Sequence, residues 1–301
     1  MDRRDFLRIT GLGWIASVLP GCGNDGEDPA AHFPPPSEWM DLATLRRTFT
    51  RVNGLRMHAL ISIEPVPADA PAVVLVHGSG LSGQYMIPTA RALTPDFRVY
   101  VPDIPGYGDS GDPGKILDVP EMADWLAAWM PTVGLARASF LGNSFGCQVI
   151  VDLAARYPGL VEAALLQGPT TPPGERSGFW QFVRWRQNQP YNPGWLGDVT
   201  QRDYEKAGAL RLLRSFIFQI TDRIEDKAPL VQAPTLVMRG DLDPIAHQAF
   251  CDLLVELLPR GQLYVIPGEA HTLVFTAPEP LAAGTREFLG QLRLWHDDST
   301  A

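Results

Sequence analysis

The chain has 301 residues, of which 45% are hydrophobic and 20% are charged. This supplies enough apolar material for one large core, or for a core with a small accessory domain, and it excludes disorder over most of the chain. The formal net charge is −9, and Lys and Arg form no cluster beyond the first few residues. Because a surface that follows phosphates needs such a cluster, we expect no nucleic-acid partner.

The first residues resemble a bacterial export signal. Arg3–Arg8 is similar to the twin-arginine motif, and the uncharged stretch Ile9–Gly21 is too short to cross a bilayer. Leu19–Cys22 is similar to a lipoprotein-processing box, although proline replaces its usual small residue. We therefore expect residues 1–22 to be a signal, Cys22 to be lipidated, and the protein to be periplasmic or membrane-anchored. The alternative is an N-terminal tail that happens to contain two arginines.

The cysteines are too few to build a disulfide framework. Besides Cys22, the chain has Cys147 and Cys251, which both lie in apolar helical patterns. A free cysteine in such a pattern usually behaves as a small buried hydrophobic residue. The sequence contains no CxxC or HExxH spacing, so it predicts no metal site.

Residues 23–45 begin with a polar segment and are predicted to be a flexible tether. Residues 46–169 and 228–296 are predicted to form an α/β core, because β-rich runs alternate there with helical patterns, as in a mostly parallel sheet covered on both faces. Asn53-Gly54 predicts the turn of an antiparallel hairpin. Strands are expected at Thr48–Asn53, Met57–Ile63, Ala72–Val76, Arg98–Val101, Ala138–Leu141, Ala163–Leu166, Thr235–Met238 and Gln262–Ile266, and helices at Ile87–Leu93, Met122–Met130, Phe145–Tyr157, Ala246–Leu258 and Pro280–Leu292.

Residues 170–227 interrupt this alternation, since they contain no convincing strand and are rich in aromatic side chains. An amphipathic run follows from Tyr204 to Ile224. A helical lid inserted here would lie over the carboxyl ends of the strands, where open α/β sheets bind ligands. The aromatic residues are expected either to line a substrate pocket under the lid or to pack the lid onto the core. They are Phe179, Trp180, Phe182, Trp185 and Trp195.

The pentapeptide Gly142-Asn143-Ser144-Phe145-Gly146 is the most informative motif. It fits the pattern G-x-S-x-G, and it lies between a predicted strand and a predicted helix, which is the context that a nucleophile elbow requires. The turn is so tight that the serine backbone is strained and the flanking positions admit only glycine. The hydroxyl of Ser144 is thereby presented at the N-terminus of a helix, which favours negative charge. The alternative is a glycine-rich turn with an idle serine.

A serine hydroxyl needs a base within hydrogen-bond reach and a carboxylate that orients this base. Both are predicted on loops that follow strands. His271 follows the strand Gln262–Ile266, and the segment Asp241-Leu242-Asp243 follows the strand Thr235–Met238. We favour Asp243 as the acid because it precedes a proline, and we expect Asp241 to cap the turn.

A tetrahedral oxyanion needs two preorganised N–H donors. The N–H of Phe145, directly after the serine, is one candidate. The second is expected from the loop His77-Gly78-Ser79-Gly80, with Ser79 preferred over Gly80. His77 is expected to brace this loop rather than to act as a base. His247 lies near the proposed acid and is expected at the surface or in the pocket.

Together these motifs resemble the lidded α/β-hydrolase superfamily. The resemblance rests on residues 77–80, on Pro102-Asp103-Ile104-Pro105-Gly106-Tyr107-Gly108-Asp109-Ser110, and on the elbow, acid and histidine, and it extends from about Thr48 to Leu294. The chain order Ser, Asp, His is that of this superfamily. The resemblance implies an α/β-hydrolase fold, acyl transfer to Ser144, no cofactor, and a small to medium hydrophobic ester as substrate.

Three other functions remain open from the sequence. His-Gly-Ser-Gly and Gly-Asn-Ser-x-Gly also resemble the meta-cleavage-product C–C hydrolases, but Leu81-Ser82 replaces their usual Pro-Gly, and Cys147 replaces a small glycine. These departures favour an ester bond, rather than a C–C bond, as the bond that is hydrolysed. A cofactor-free perhydrolase or haloperoxidase would use the same triad, and a non-catalytic module would use the lid cavity for a ligand. The serine at the elbow disfavours haloalkane dehalogenases and epoxide hydrolases, which have aspartate there.

Overall fold

The computed structural model describes residues 41–63, 66 and 70–298, with side chains as far as residue 292. The predicted signal, the lipidation of Cys22 and most of the predicted tether lie outside these residues. Where the described chain begins, Leu42 and Leu45 already pack against the core, and Leu45 is the first residue of a strand. The packing of the core therefore extends into residues 42–45, which the sequence assigned to the tether.

Eight strands of the described chain form one sheet in the order β1-β2-β4-β3-β5-β6-β7-β8. The pairs β1/β2 and β2/β4 are antiparallel, and every other pair is parallel. The predicted strands are therefore confirmed, with shifts of a few residues at their ends. The strands are β1 Leu45–Val52, β2 Leu55–Ser62, β3 Ala72–Val76, β4 Arg98–Pro102, β5 Ala138–Asn143, β6 Val161–Gln167, β7 Thr235–Gly240 and β8 Gly261–Ile266.

The predicted hairpin is also confirmed. Val52 pairs with Leu55, and the two residues between them, Asn53 and Gly54, have φ of 48° and 83°. Positive φ at both central residues is the signature of a type I′ turn, whose twist matches that of the flanking strands.

Helices cover both faces of the sheet, and the strand pattern explains why. Val74 and Val76 of β3 belong to one hydrophobic cluster, whereas Val73 and Leu75 belong to the cluster on the opposite face. A strand buried on both faces has no polar side to expose, which accounts for its continuous apolar sequence. The helices that cover these faces are α1 Ile87–Leu93, α2 Val119–Trp129, α3 Phe145–Arg156, α8 Gln248–Leu257, α9 Leu273–Thr276 and α10 Pro278–Asp298.

A helical insertion separates β6 from β7, at the place where the sequence predicts a lid. The run from Tyr204 to Ile224, expected to be continuous, is broken at Gly208, which has φ of 78° and ψ of 153°, and again at the extended Asp222. That left-handed φ favours glycine and ends the first of the two helices. The insertion contains α4 Gly178–Asn188, α5 Leu196–Ala207, α6 Ala209–Thr221 and α7 Ile224–Lys227.

Polar contacts fasten the insertion to the core. The buried carboxylate of Asp203 on α5 accepts hydrogen bonds from the N–H of Ser82 at 2.8 Å and from its hydroxyl at 2.9 Å. At the end of the insertion, Lys227 forms an ion pair of 2.8 Å with Asp152 of α3. Among the described residues, no helix is long and apolar enough to cross a membrane.

Candidate functional site

Ser144 lies at the turn between β5 and α3, in a backbone conformation that side chains rarely adopt. Its φ is 56° and its ψ is −118°, which is strained for a residue other than glycine. A methyl group added to Gly146 would lie 2.4 Å from the carbonyl oxygen of Val76, and one added to Gly142 would lie 2.8 Å from the backbone of Gly146. The elbow therefore admits no larger residue at either position.

The structure brings Ser144, His271 and Asp243 into one hydrogen-bonded series. His271 follows β8 and Asp243 follows β7, and parallel strands bring both loops to the same edge of the sheet. Nε2 of His271 lies 3.1 Å from the hydroxyl oxygen of Ser144, and its Nδ1 lies 2.9 Å from Oδ2 of Asp243. These are hydrogen-bond distances, so the imidazole can accept a proton from the serine while the carboxylate holds its other nitrogen.

Asp243 is buried and held in its ionised form. Burial alone would raise the pKa of this carboxyl, but His271 and the N–H groups of Ala246 and Ile245 outweigh it and keep the pKa below its usual value. These N–H groups donate to Oδ1 at 2.9 and 2.8 Å, which leaves Oδ2 for the imidazole. An ionised carboxylate in this position stabilises the imidazolium that forms when His271 takes a proton.

Asp241 lies in the same loop but has a different contact. It is exposed, and its Oδ1 accepts a hydrogen bond of 2.7 Å from the N–H of Gly268. The carboxylate thus ties the loop after β7 to the loop after β8. The structure therefore places Asp243, and not Asp241, against His271.

Two backbone N–H groups beside Ser144 are available for an anion. Phe145 is the first residue of α3, and residues at a helix N-terminus have no acceptor within the helix. In the part of the chain that the structure describes, neither its N–H nor that of Ser79 has a hydrogen-bond acceptor. A methyl group on Gly78 would lie 3.4 Å from Cβ of Ser144, so the loop 77–80 lies directly against the elbow.

Gly80, the second choice for a donor, lies under the insertion. A methyl group on Gly80 would lie 2.5 Å from Leu212 of α6 and 2.9 Å from Tyr204 of α5. Its own φ of 73° lies in the left-handed region. The insertion therefore places apolar side chains directly on the loop that carries the candidate donors.

His77 has a hydrogen bond at each ring nitrogen and is not free to act as a base. Its Nε2 lies 3.2 Å from the N–H of Ile104, so this nitrogen must accept, and its Nδ1 donates to the carbonyl of Gly78 at 3.0 Å. Burial lowers the pKa of this imidazole. His77 is therefore a neutral brace that ties its loop to the end of β4.

The aromatic residues of the insertion lie in two different environments. Phe179, Trp180 and Phe182 on α4 are 68%, 42% and 38% exposed. Trp195 instead packs into the core, with its ring centroid 5.3 Å from that of Phe275, and Trp185 is half-buried. The five aromatic residues of the insertion therefore do not line one enclosed pocket. His247 is half-buried, and its Nδ1 accepts the N–H of Phe250 at 3.2 Å at the start of α8.

Three buried polar residues that the sequence did not single out also hold the site. Arg239 donates from Nε to the carbonyl of Ala246 at 2.7 Å and so supports the loop that carries the acid. Gln167 and Asn143, at the ends of β6 and β5, are hydrogen-bonded to each other at 2.6 Å. A glutamine directly after the apolar run Ala163–Leu166 was a signal that could have found one of them.

The comparisons with known proteins identify the family of this chain. The model of the alpha/beta hydrolase family matches residues 73–284. This chain is a member of the alpha/beta hydrolase family. It is a hydrolase, and its predicted α/β-hydrolase fold is confirmed.

Similar proteins include several bacterial hydrolases. A pyrrolizixenacetamide deacetylase from Xenorhabdus hominickii is 33% identical over 74% of this hydrolase and 92% of its own length. A poly(3-hydroxyalkanoate) depolymerase from Ectopseudomonas oleovorans is 26% identical over 77% of this hydrolase and 89% of its own length. The crystal structure of a bacterial membrane phospholipase A, 22% identical, covers 97% of this hydrolase and 99% of its own chain with a TM-score of 0.72, a likeness of fold.

Proposed function

We propose that this hydrolase cleaves small to medium hydrophobic carboxylic esters through an acyl-enzyme on Ser144. The observation that carries the proposal is the series Ser144, His271 and Asp243, with distances of 3.1 and 2.9 Å. A hydroxyl, an imidazole and a buried carboxylate in this order perform nucleophilic acyl transfer on several unrelated folds.

In the first half of the reaction, Nε2 of His271 takes the proton of Ser144 as the hydroxyl oxygen attacks the acyl carbon. The carbonyl oxygen becomes an oxyanion, which the N–H groups of Phe145 and Ser79 stabilise. His271, now an imidazolium beside Asp243, gives its proton to the departing alcohol. The acyl group is then bound to Ser144 as an ester.

In the second half, a water molecule takes the place of the alcohol. His271 takes a proton from the water, the resulting hydroxide attacks the acyl carbon, and a second oxyanion forms in the same place. Its collapse releases the carboxylic acid and returns the proton to Ser144. Every proton transfer uses His271, so no cofactor is needed.

The contacts of the insertion support a hydrophobic substrate. Leu212 and Tyr204 lie on Gly80, next to the proposed oxyanion donors, so a substrate bound there meets an apolar surface. A strained serine supports catalysis over a purely binding role, because such a backbone costs about 1–3 kcal/mol and a binding module gains nothing from it. C–C hydrolysis remains the second candidate, with Leu81-Ser82 and Cys147 counting against it.

The proposal is tested by measuring turnover of purified protein on aryl esters of increasing acyl length. A vinylogous 1,5-diketone is the substrate for C–C hydrolysis, and a peracid assay is run in parallel. We expect hydrolysis of the esters at rates well above those on the diketone, and loss of turnover in Ser144→Ala with an unchanged circular dichroism spectrum. A higher kcat/KM on the diketone, or ester turnover that survives Ser144→Ala, would contradict the proposal.

A further inference from the structure

His271 lies in a loop between β8 and α9 and is held by side chains from outside that loop. Its backbone N–H donates to Oδ1 of Asn188 at 3.2 Å, and its backbone carbonyl accepts from Nε2 of Gln167 at 3.0 Å. Both polar backbone groups of the proposed base are therefore bound by side-chain amides. Since an N–H only donates and a carbonyl only accepts, these bonds also fix the orientation of both amides.

Gln167 connects the proposed base to the proposed nucleophile. It is fully buried at the end of β6, and its Oε1 accepts from Nδ2 of Asn143, the residue before Ser144, at 2.6 Å. Its backbone carbonyl accepts the N–H of Ser144 at 2.9 Å. One residue thus holds the backbones of Ser144 and His271 at once. Its side-chain amide donates to His271 and accepts from Asn143, and its main-chain carbonyl accepts from Ser144.

Asn188 connects the proposed base to the insertion. It is the last residue of α4, is 3% exposed, and donates from Nδ2 to Oδ1 of Asn192 at 3.2 Å. The same oxygen of Asn192 accepts the hydroxyl of Thr272 at 3.2 Å. The insertion therefore binds two consecutive residues of the loop that carries His271.

The position of the His271 backbone decides where the imidazole lies. The ring is rigid and has hydrogen bonds to both Ser144 and Asp243, so a movement of its backbone disturbs both. The ring has little room to compensate, because a methyl group on Gly168 would lie 2.9 Å from its Cε1. A misplacement of about 1 Å can cost about 10²-fold in rate.

We propose that Gln167 and Asn188 are positioning residues that clamp the His271 backbone from opposite sides, and that the insertion thereby helps to set the proposed base. The inference rests on the proposed function of His271. It gives the insertion a role in the rate of the reaction, in addition to any contact with substrate. The loss of Asn188 should therefore lower kcat more than it changes KM.

The test compares Asn188→Ala with Gln181→Ala. Gln181 is a matched control, because it is a buried amide on the same helix that donates to the carbonyl of Glu175 at 3.0 Å and forms no bond to the loop of His271. We expect kcat for an aryl ester to fall about 10-fold in Asn188→Ala with KM within about twofold, and to stay near wild type in Gln181→Ala. Equal losses in the two variants, or an unchanged kcat in Asn188→Ala, would overturn the proposal.

Asn188→Asp separates positioning from folding. The carboxylate keeps an oxygen that accepts the N–H of His271, so kcat should recover above that of Asn188→Ala. No recovery of kcat over Asn188→Ala would overturn the proposal even if Asn188→Ala folds poorly.

Hydrogen exchange gives a readout that does not depend on turnover. The amide of His271 should exchange at least about 10-fold faster in Asn188→Ala than in wild type or Gln181→Ala, because its acceptor is lost. Unchanged exchange would overturn the clamp. Absence of ester turnover in the wild type would instead overturn the proposed function, so the two failures are distinguishable.

Discussion

The sheet edge and the helical insertion contribute to the candidate site through different kinds of contact. At the sheet edge, Ser144 and Asp243 follow strands in which every residue is buried. The insertion is instead fastened by charged and polar side chains. They include Asp203 against Ser82, Lys227 against Asp152, and Asn188 against His271.

The two kinds of contact respond differently to pH. Apolar burial is non-directional and does not change with pH, whereas a buried carboxylate costs more when it is charged. We therefore expect changes at the sheet edge, and at Asn188 where the insertion contacts His271, to act on the rate of the reaction. Changes at the charged anchors of the insertion, such as Asp203, should act on its attachment and on the dependence of stability on pH.

The largest effect should come from the sheet edge. Asp243→Asn should lower kcat by a factor on the order of 10² or more, because it removes the charge that orients and stabilises His271. Asp241→Asn should have a small effect, because this exposed carboxylate contacts only the N–H of Gly268 at 2.7 Å among the described residues. Steady-state kinetics of both variants checks this. The reverse ranking would mean that the acid is Asp241.

The smaller effect should come from the insertion. Burial is the main cause that raises the pKa of Asp203 from 3.8 to about 6, and the nearby charge of Asp103 acts in the same direction. Hydrogen bonds from Ser82 and the charge of Lys206 oppose this increase. A folded-state pKa above the unfolded value adds stability at low pH, and this stability is lost as the pH rises through about 6. Between pH 4 and pH 7, the free energy of unfolding of the wild type should therefore fall by about 2–3 kcal/mol relative to that of Asp203→Asn.

Urea unfolding at both pH values measures this difference. Asp198→Asn is the control, because Asp198 is an exposed aspartate on the same helix. A constant difference between wild type and Asp203→Asn across this range would show that Asp203 does not carry the pH dependence, and it would remove ionisation from the comparison of the two regions.

The sequence was sufficient to predict the sheet edge. Ser144, Asp243 and His271 each follow an apolar strand, and the carboxyl ends of parallel strands meet at one edge, so their proximity follows from the order of the strands. The glycines at positions 142 and 146 likewise predict the strained elbow. These features depend on local sequence and on a general rule of α/β sheets.

The sequence was not sufficient to predict how the insertion attaches. The contact of Asn188 with His271 joins residues far apart in the chain, and no local pattern marks it. Excision of residues 172–226 would therefore remove a hydrogen bond to the backbone of His271. Likewise, the run from Tyr204 to Ile224 was predicted as one amphipathic segment, but the conformation of Gly208 separates the end of α5 from α6.

The acyl-enzyme itself provides the most direct test of the central claim, that Ser144 carries the reaction. Purified protein is mixed with an excess of an aryl ester, and the reaction is quenched in acid during turnover. The protein is then digested, and the mass of the peptide that contains Ser144 is measured by mass spectrometry. We predict that this peptide gains the mass of the acyl group in the wild type, and that Ser144→Ala shows no adduct and no burst of aryl alcohol. An acyl group on another residue, or full turnover with an initial burst in Ser144→Ala, would contradict the account.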